Sequence, residues 1–123
     1  MDLETFSGWL HRYFAAWASN DPDDVVALFA DAAEYSWGPF REPALGREAI
    51  VQAWVDGGSP PELRTSFEAV AVAGDTGVAH WTASFRSHDG GTTDLDGILL
   101  VDLDEEGRCT LHREWYDRRE NPS

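Results

Sequence analysis

The residues with the clearest capacity for chemistry lie near the end of the chain. Glu114 directly precedes the aromatic residues Trp115 and Tyr116, and His112 lies two positions earlier. A carboxyl group that points into an apolar interior has its charged form disfavoured, so its pKa rises towards neutrality. Such a group suits general acid/base catalysis. The alternative is a structural carboxylate held by an arginine or a tyrosine elsewhere in the chain: Arg41, Arg113, Arg118 or Tyr13.

Two further side chains are candidates for proton transfer or oxyanion binding. Tyr13 has helical spacing and could donate a hydrogen bond to a developing oxyanion, or it could be a buried tyrosine that bonds Glu114. Asp96 precedes Gly97, where a bulge could turn the aspartate inward, although strict alternation places it on the outer face. His112 has no sequence neighbour that would orient it. The candidate catalytic set is therefore Glu114, Tyr13, His112 and Asp96.

The chain lacks the residue spacings that are typical of metal and cofactor sites. Its four histidines are scattered, without an HxH, HxxxH or CxxC pattern, and no glycine-rich phosphate loop is present. All nine basic residues are arginine, which excludes a lysine nucleophile or Schiff base. We therefore expect neither a metal nor a cofactor.

Charge and composition narrow the class of partner. The 123 residues carry a formal net charge of −14, which argues against a nucleic-acid surface and against an anionic membrane face. A small molecule that is neutral or cationic is the better match. The first residues do not form a signal-peptide pattern, and the single Cys109 is typical of a reducing compartment. We expect a cytoplasmic protein.

The periodicity of apolar residues predicts the elements that position these groups. Helical spacing predicts three helices, over residues 3–19, 21–31 and 46–57. A short strand is predicted over 34–37, and a period of two then predicts four strands, over 63–73, 77–87, 92–104 and 108–117. Helices followed by an antiparallel meander indicate an α+β fold. We expect one domain over residues 1–119 and a frayed tail over 120–123.

Residue parity predicts which side chains face a cavity. In a strongly curved sheet the concave face looks at the helices, and alternate residues of each strand share that face. The predicted ligand-contacting residues are aromatic or aliphatic side chains: Trp17, Trp37, Phe40, Trp54, Trp81, Phe85, Leu99 and Tyr116.

Two stretches read YFAAWASNDPDDVVALFADAA at 13–33 and GREAIVQAW at 46–54. Together they resemble the SnoaL-like members of the nuclear-transport-factor-2-like superfamily. The resemblance implies three helices packed in the concave face of a curved antiparallel sheet, a cystatin-like cone around a cavity. It implies a small-molecule-binding protein that could be a cofactor-free isomerase, cyclase or hydrolase. The alternative is a non-catalytic ligand-binding or dimerisation module, because this fold hosts both.

The ketosteroid isomerase branch of that superfamily gives a more specific comparison. Aligned without a gap, Tyr13 falls on the tyrosine that donates a hydrogen bond to the substrate oxyanion. Trp37 and Leu99 fall on the positions of the two catalytic aspartates, so a steroid isomerase acting by that mechanism is not expected. The same alignment implies that Glu114 and its inward neighbours, His112 and Tyr116, face the cavity.

The strand over 92–104 is apolar on both faces at 98–101, where the sequence reads ILLV. A half-solvated antiparallel strand should alternate, so one face can pack on the helices while the other needs a cover. A second copy of the same sheet would supply it, which predicts a two-fold homodimer. The alternative is an apolar patch beneath the arginine-rich end of the chain.

Overall fold

The computed structural model describes residues 1–123 as three helices and six strands. The helices are α1 (Leu3–Ser19), α2 (Pro22–Val26) and α3 (Arg47–Gly57). The strands are β1 (Phe29–Ser36), β2 (Ala44–Leu45), β3 (Arg64–Ala73), β4 (Thr76–Arg86), β5 (Thr92–Leu103) and β6 (Cys109–Asn121). The predicted α+β fold is confirmed. None of the helices is long and apolar enough to span a membrane.

Helix α1 is fixed at both ends and buried along one face. Asp2 caps its start by accepting a hydrogen bond from the Thr5 N–H at 2.8 Å, and Asn20 ends it in the left-handed region at φ 52°. Its buried residues are Phe6, Trp9, Leu10, Tyr13, Phe14 and Ala16. The Phe6 ring lies so close to β4 that a Cβ atom at Gly77 would approach it to 2.7 Å. This helix is therefore seated tightly on the sheet.

Helix α2 is shorter than the sequence predicts. Asp21 caps it, but the helix ends at Val26, whereas the apolar spacing predicted helix as far as residue 31. The Leu28 carbonyl accepts a hydrogen bond from the Cys109 N–H at 2.8 Å, and Phe29 pairs with Cys109 in the sheet. Pairing with a strand distant in sequence therefore overrides the local preference for helix.

The six strands form one curved, unclosed sheet in the order β2-β1-β6-β5-β4-β3. Strands β3 to β6 form the predicted antiparallel meander. Strand β1 pairs with β6 in parallel, so the sheet is mixed at that one junction rather than wholly antiparallel. Strand β2 pairs antiparallel with β1 in a segment that the sequence predicted as loop. The meander thus gains two strands beyond β6.

Alternation along the central strands places one face against the helices, as the period of two predicted. On β4 and β5 the buried apolar residues are Ala79, Trp81, Ala83, Leu95, Leu99, Val101 and Leu103. They join the buried face of α1 in a single core cluster, and partly buried residues of α3 pack against it. The concave face of the sheet and the helices therefore share one core, part of which remains open as a cavity.

The last strand runs further than predicted. It continues to Asn121, whose side-chain amide donates hydrogen bonds to Thr92 Oγ1 at 3.1 Å and to Asp94 Oδ2 at 2.9 Å. Residues 120 and 121 therefore belong to the sheet and not to a frayed tail.

Candidate functional site

Three elements bring four polar side chains together between the helices and the sheet. Tyr13 lies on α1, Tyr35 on β1, and His112 and Glu114 on β6. Tyr35 and His112 are opposite each other in the parallel β1–β6 pair, and their rings stack with centroids 3.9 Å apart and planes 4° apart. None of the four residues is more than 6% exposed. Buried polar groups need partners, and most of the polar atoms of these four side chains find them within the group.

Hydrogen bonds link the four side chains into a chain. The Tyr13 hydroxyl lies 3.1 Å from His112 Nε2 and 2.6 Å from the Tyr35 hydroxyl. Tyr35 in turn donates to Glu114 Oε1 at 3.0 Å. The direct Tyr13–Glu114 hydrogen bond that the sequence allowed is not formed, and Tyr35 bridges the two residues. His112 Nε2 also lies 3.7 Å from Glu114 Oε1. Among the arginines considered as partners for Glu114, none makes an ion pair with it.

Burial sets the protonation of the carboxyl group at the end of this chain. Removal from water raises the pKa of Glu114 from 4.5 to about 7, because the charged form loses its hydration. The hydrogen bond from Tyr35 and the positive charge of Arg41 act in the opposite direction but do not cancel it. Glu114 therefore exists near neutral pH as a mixture of acid and carboxylate.

The other three groups stay neutral. Burial lowers the pKa of His112 to about 3, so its imidazole is uncharged at neutral pH. Burial and the negative charge of Glu114 raise the pKa of Tyr13 and of Tyr35 well above 10, so both hydroxyls keep their protons. Glu114 is therefore the only member of the group that exchanges a proton readily near neutral pH.

The direction of the chain follows from the unpaired nitrogen of the imidazole. His112 Nδ1 has no hydrogen-bond partner in the protein, whereas Nε2 faces Tyr13. A buried N–H without an acceptor is rarer in folded proteins than an unpaired acceptor. We therefore assign the proton to Nε2. His112 then donates to Tyr13, Tyr13 to Tyr35, and Tyr35 to Glu114, so every donor in the chain is satisfied.

A cavity of about 860 Å³ opens beside these hydrogen-bonded side chains. Tyr13, Tyr35 and Glu114 line it, together with aromatic side chains from the helices and the sheet. Glu114 Oε1 is occupied by Tyr35, while Oε2 has no protein partner. The arrangement presents one titratable carboxyl oxygen to a space that is lined in part by aromatic side chains and is large enough for a small molecule.

Most of the chain matches one protein family. Residues 10–112 match the family model described as the SnoaL-like domain. The chain belongs to the SnoaL-like domain family. No curated protein sequence matches this SnoaL-like chain significantly.

Several solved structures have the same fold as this SnoaL-like protein. TsrD from Streptomyces laurentii is 20% identical with a TM-score of 0.76, and the match covers 95% of this chain and 91% of that one. The epoxide hydrolase/cyclase-like enzyme SalBIII, described in pyran ring formation in the polyether salinomycin, is 15% identical with a TM-score of 0.77 and coverages of 94% and 93%. An LEH-like epoxide hydrolase of M. tuberculosis is 16% identical with a TM-score of 0.73 and coverages of 89% and 80%. These similarities establish the fold.

Six of the eight predicted ligand-contacting residues line the cavity of this SnoaL-like domain: Trp17, Trp37, Trp54, Trp81, Phe85 and Tyr116. The other two predictions are wrong. Phe40 is fully exposed, because it lies at the turn between β1 and β2, away from the core. Leu99 is 1% exposed and packs within the core cluster, so it does not reach the open space.

Asp96 lies on the opposite face of the sheet, so its predicted place in the cavity is wrong. Its carboxylate lies 2.7 Å from His80 Nε2, beside a separate concavity of about 520 Å³ on the outer face. Strand β5 keeps a regular register through Gly97, without the expected bulge. The glycine instead allows close approach, because a Cβ atom there would come within 2.7 Å of the Tyr116 Cβ.

Tyr35, which connects Tyr13 to Glu114, is a site residue that was not predicted from the sequence. The predicted strand over 34–37 contained the necessary signal, because Tyr35 and the predicted Trp37 share one face by alternation. Polar residues at the cavity mouth were not predicted either, and of these Arg118 and Glu120 have the same parity on β6 as Glu114. No three His, Cys, Asp or Glu side chains come together as metal ligands.

Proposed function

We propose that this SnoaL-like protein is a cofactor-free enzyme that transfers protons to and from a neutral, mostly apolar small molecule. The observation that supports the proposal is Glu114, which is buried beside the cavity with its pKa raised to about 7 and one oxygen free. A carboxyl group with this pKa can act as an acid and as a base near neutral pH. Isomerisation, cyclisation and water addition can all use such a group.

The reaction would begin with the neutral form of Glu114. Its Oε2–H donates a proton to an oxygen or carbon of the ligand, and the carboxylate that forms is stabilised by the hydrogen bond from Tyr35. Tyr13 and His112 hold the Tyr35 hydroxyl in place through the chain of hydrogen bonds. The carboxylate then takes a proton from another ligand atom or from water, which restores the starting state.

Opening of a cyclic ether is the first reaction to test. Two proteins of the same fold are described as an epoxide hydrolase/cyclase-like enzyme and as an epoxide hydrolase. In such a step Glu114 would protonate the ether oxygen while a hydroxyl group or water attacks the adjacent carbon and the C–O bond breaks. The proton released by the attacking group returns to the carboxylate or to solvent.

The alternative function is a ligand-binding module without catalysis. The bonds among His112, Tyr13 and Tyr35 favour it, because these three groups already bond one another inside the core. In that case the linked hydrogen bonds would only stabilise the fold, and Glu114 would serve as the acceptor at their end. The two functions differ in whether Glu114 affects turnover or only stability.

Two simple probes distinguish an enzyme from a module. We would measure the opening of styrene oxide and the hydrogen–deuterium exchange of cyclohexanone at its α-carbon, with wild-type protein and with Glu114→Gln. An enzyme should accelerate at least one probe, and Glu114→Gln should lower that rate about 10²- to 10⁴-fold. Glu106→Gln, in the exposed turn before β6, is the matched control and should keep the rate. If wild-type protein accelerates neither probe and Glu114→Gln changes only stability, the module replaces the enzyme.

We also propose that a second copy of the chain covers the outer face of the sheet. Ile98 and Trp115 are paired across β5 and β6, and they are 40% and 41% exposed on that face. Arg113 and Asp117 flank Trp115 two residues to either side. A two-fold axis through Trp115 would bring the arginine of one copy to the aspartate of the other.

Sedimentation equilibrium tests this interface. We expect a dimer for wild-type protein and a monomer for Trp115→Glu, because the charge would be buried without a partner. Val70→Glu, at an exposed apolar residue on the edge strand β3, is the matched control and should remain dimeric. A monomeric wild-type protein would contradict the proposal.

The single cysteine, which cannot form a disulfide within the chain, is typical of proteins in a reducing compartment. Cys109 is a buried free thiol, and burial raises its pKa. We propose the cytoplasm, which the location of a fluorescent fusion would test.

A further inference from the structure

The inward face of β6 forms one wall of the cavity from end to end. Glu114, Tyr116, Arg118 and Glu120 alternate onto this face and all line the cavity. The first and the last lie six positions apart on the strand, which corresponds to about 20 Å at about 3.3 Å per residue. The side chain of Glu114 is 7% exposed, whereas that of Glu120 is 54% exposed. The cavity therefore has a closed end at Glu114 and an open mouth at Glu120.

The middle of the cavity is aromatic. The rings of Trp81 and Tyr116 lie 5.9 Å apart, and the ring of Trp17 lies 6.3 Å from Trp81. Phe85 continues this wall along β4 towards the mouth. A ligand that reaches from the mouth to Glu114 must therefore be long and must carry an apolar middle section.

The mouth is built from hydrogen-bonding side chains. Thr93, which is only 1% exposed, donates to Glu120 Oε2 at 2.8 Å, and its oxygen lies 2.6 Å from Ser87 Oγ. Arg118 donates through Nε to Glu120 Oε1. These bonds lower the pKa of Glu120, so its carboxylate stays charged. We call Ser87, Thr93, Arg118 and Glu120 the mouth cluster.

The charges at the mouth disfavour an anion. Each arginine there already has a carboxylate partner, since Arg118 bonds Glu120 and Arg86 bonds Glu62 at 2.7 Å. Asp89 adds a further carboxylate to the lining, and the whole chain carries a net charge of −14. A phosphate or carboxylate would meet no free cation at this end.

A hydroxyl group matches the mouth cluster instead. A hydroxyl both donates and accepts, so it can donate to the Glu120 carboxylate and accept from the Arg118 guanidinium. Ser87 can accept a hydrogen bond from a neighbouring hydroxyl, while Thr93 holds Glu120 and Ser87 in place. Several adjacent hydroxyls on one neutral group would use the cluster fully.

We propose that the cavity binds an elongated amphipathic ligand, with its reacting apolar end at Glu114 and a neutral, hydroxyl-bearing end at the mouth cluster. This inference rests on the proposed function, because it assumes that the cavity beside Glu114 is the ligand site, and it adds the polarity and orientation of the ligand. The mouth cluster selects for neutral polar groups, and the aromatic middle selects for an apolar body.

Octyl β-D-glucopyranoside and octanoate test the selection, since both carry an apolar chain but only the first ends in neutral hydroxyls. Binding would be measured by calorimetry below the critical micelle concentration. We expect the glucoside to bind wild-type protein more tightly than octanoate does. Glu120→Gln should weaken glucoside binding about three- to ten-fold, the loss expected for one net hydrogen bond. The matched control Glu106→Gln should bind like wild-type protein.

Intermolecular NMR contacts test the orientation. Sugar protons should show contacts with the Thr93 methyl group, and chain protons should show contacts with the Tyr116 ring. The reverse orientation would overturn the proposal. Equal or tighter binding of octanoate, unchanged glucoside binding by Glu120→Gln, or no saturable glucoside binding would also overturn it.

One variant distinguishes failure of the amphipathic ligand from failure of the proposed enzyme. Glu114→Gln removes the proposed acid but leaves the mouth cluster intact, so it should keep the same glucoside contacts at Thr93 and Tyr116. A protein without catalysis that still binds the glucoside in this orientation would overturn the enzyme and support the amphipathic ligand. Catalysis on the small probes without glucoside binding would support the enzyme and overturn the amphipathic ligand.

Discussion

Replacing Glu114 by glutamine should change how the stability of the protein depends on pH. The folded protein holds the Glu114 proton more tightly than the unfolded chain does, because burial raises its pKa from 4.5 to about 7. The stability that this proton contributes is therefore present in full below pH 4.5 and is lost as the pH rises through about 7. Glutamine has nearly the same shape and does not titrate, so the variant should keep its stability where wild-type protein loses stability with rising pH.

The expected size of the effect follows from the two pKa values. The interval from 4.5 to about 7 corresponds to about 3 kcal/mol, at about 1.4 kcal/mol per pH unit. Between about pH 4 and about pH 8.5, the free energy of unfolding of Glu114→Gln should therefore gain about 3 kcal/mol relative to wild-type protein. A constant offset from the changed hydrogen bond with Tyr35 is independent of pH and does not affect this slope.

The difference between the two proteins isolates Glu114 from the other titrating groups. Burial lowers the pKa of His112 from 6.5 to about 3, so its contribution is present above 6.5 and is lost as the pH falls towards about 3. Both proteins contain His112, and its effect cancels in the difference. Urea unfolding followed by tryptophan fluorescence across this pH range gives both free energies. A difference that stays flat with pH would refute a raised pKa and remove the basis for the proposed acid.

Two further predictions concern the linked hydrogen bonds of the site and the packing of α1 on the sheet. Tyr35→Phe removes a hydrogen bond that lowers the pKa of Glu114, so that pKa should rise above about 7 in a ¹³C NMR titration; an unchanged pKa would contradict the assigned donor. Gly77→Ala should lower the free energy of unfolding by about 1–3 kcal/mol, because the new methyl group meets the Phe6 ring. Gly8→Ala, in α1 with no atom near its Cβ position, is the matched control and should raise it by up to about 1 kcal/mol. Equal thermal shifts for the two alanines would contradict tight seating of the helix.

The sequence predicted the fold well where one face of an element is buried by its neighbours. Strands β4 and β5 show the expected alternation because the helices cover one side of each, and Trp81 could be assigned inward by parity alone. The end of α2 could not be predicted, because Phe29 joins the sheet through Cys109, a pairing that local propensity does not contain.

The site was predicted in part for the same reason. Glu114, Tyr13 and His112 were identified from residue type, parity and resemblance, and the structure brings them together through Tyr35. Tyr35 was missed because its role depends on the parallel pairing of β1 with β6, which no local pattern indicates. Asp96 was included as a candidate because a bulge at Gly97 could turn it inward, and the regular register there leaves it on the outer face.

The pairing of β1 with β6 also governs when the site can first exist during synthesis. Tyr13 and His112 are 99 positions apart, and Tyr35 and Glu114 are 79 apart, so the contacts that define the site are among the most non-local in the chain. A nascent chain that extends only through β5 contains both tyrosines but neither of their β6 partners. Proteins that are dominated by such non-local contacts also fold more slowly than proteins rich in local contacts. The site can therefore form only after β6 has been synthesised, and a shorter nascent chain holds only its two tyrosines.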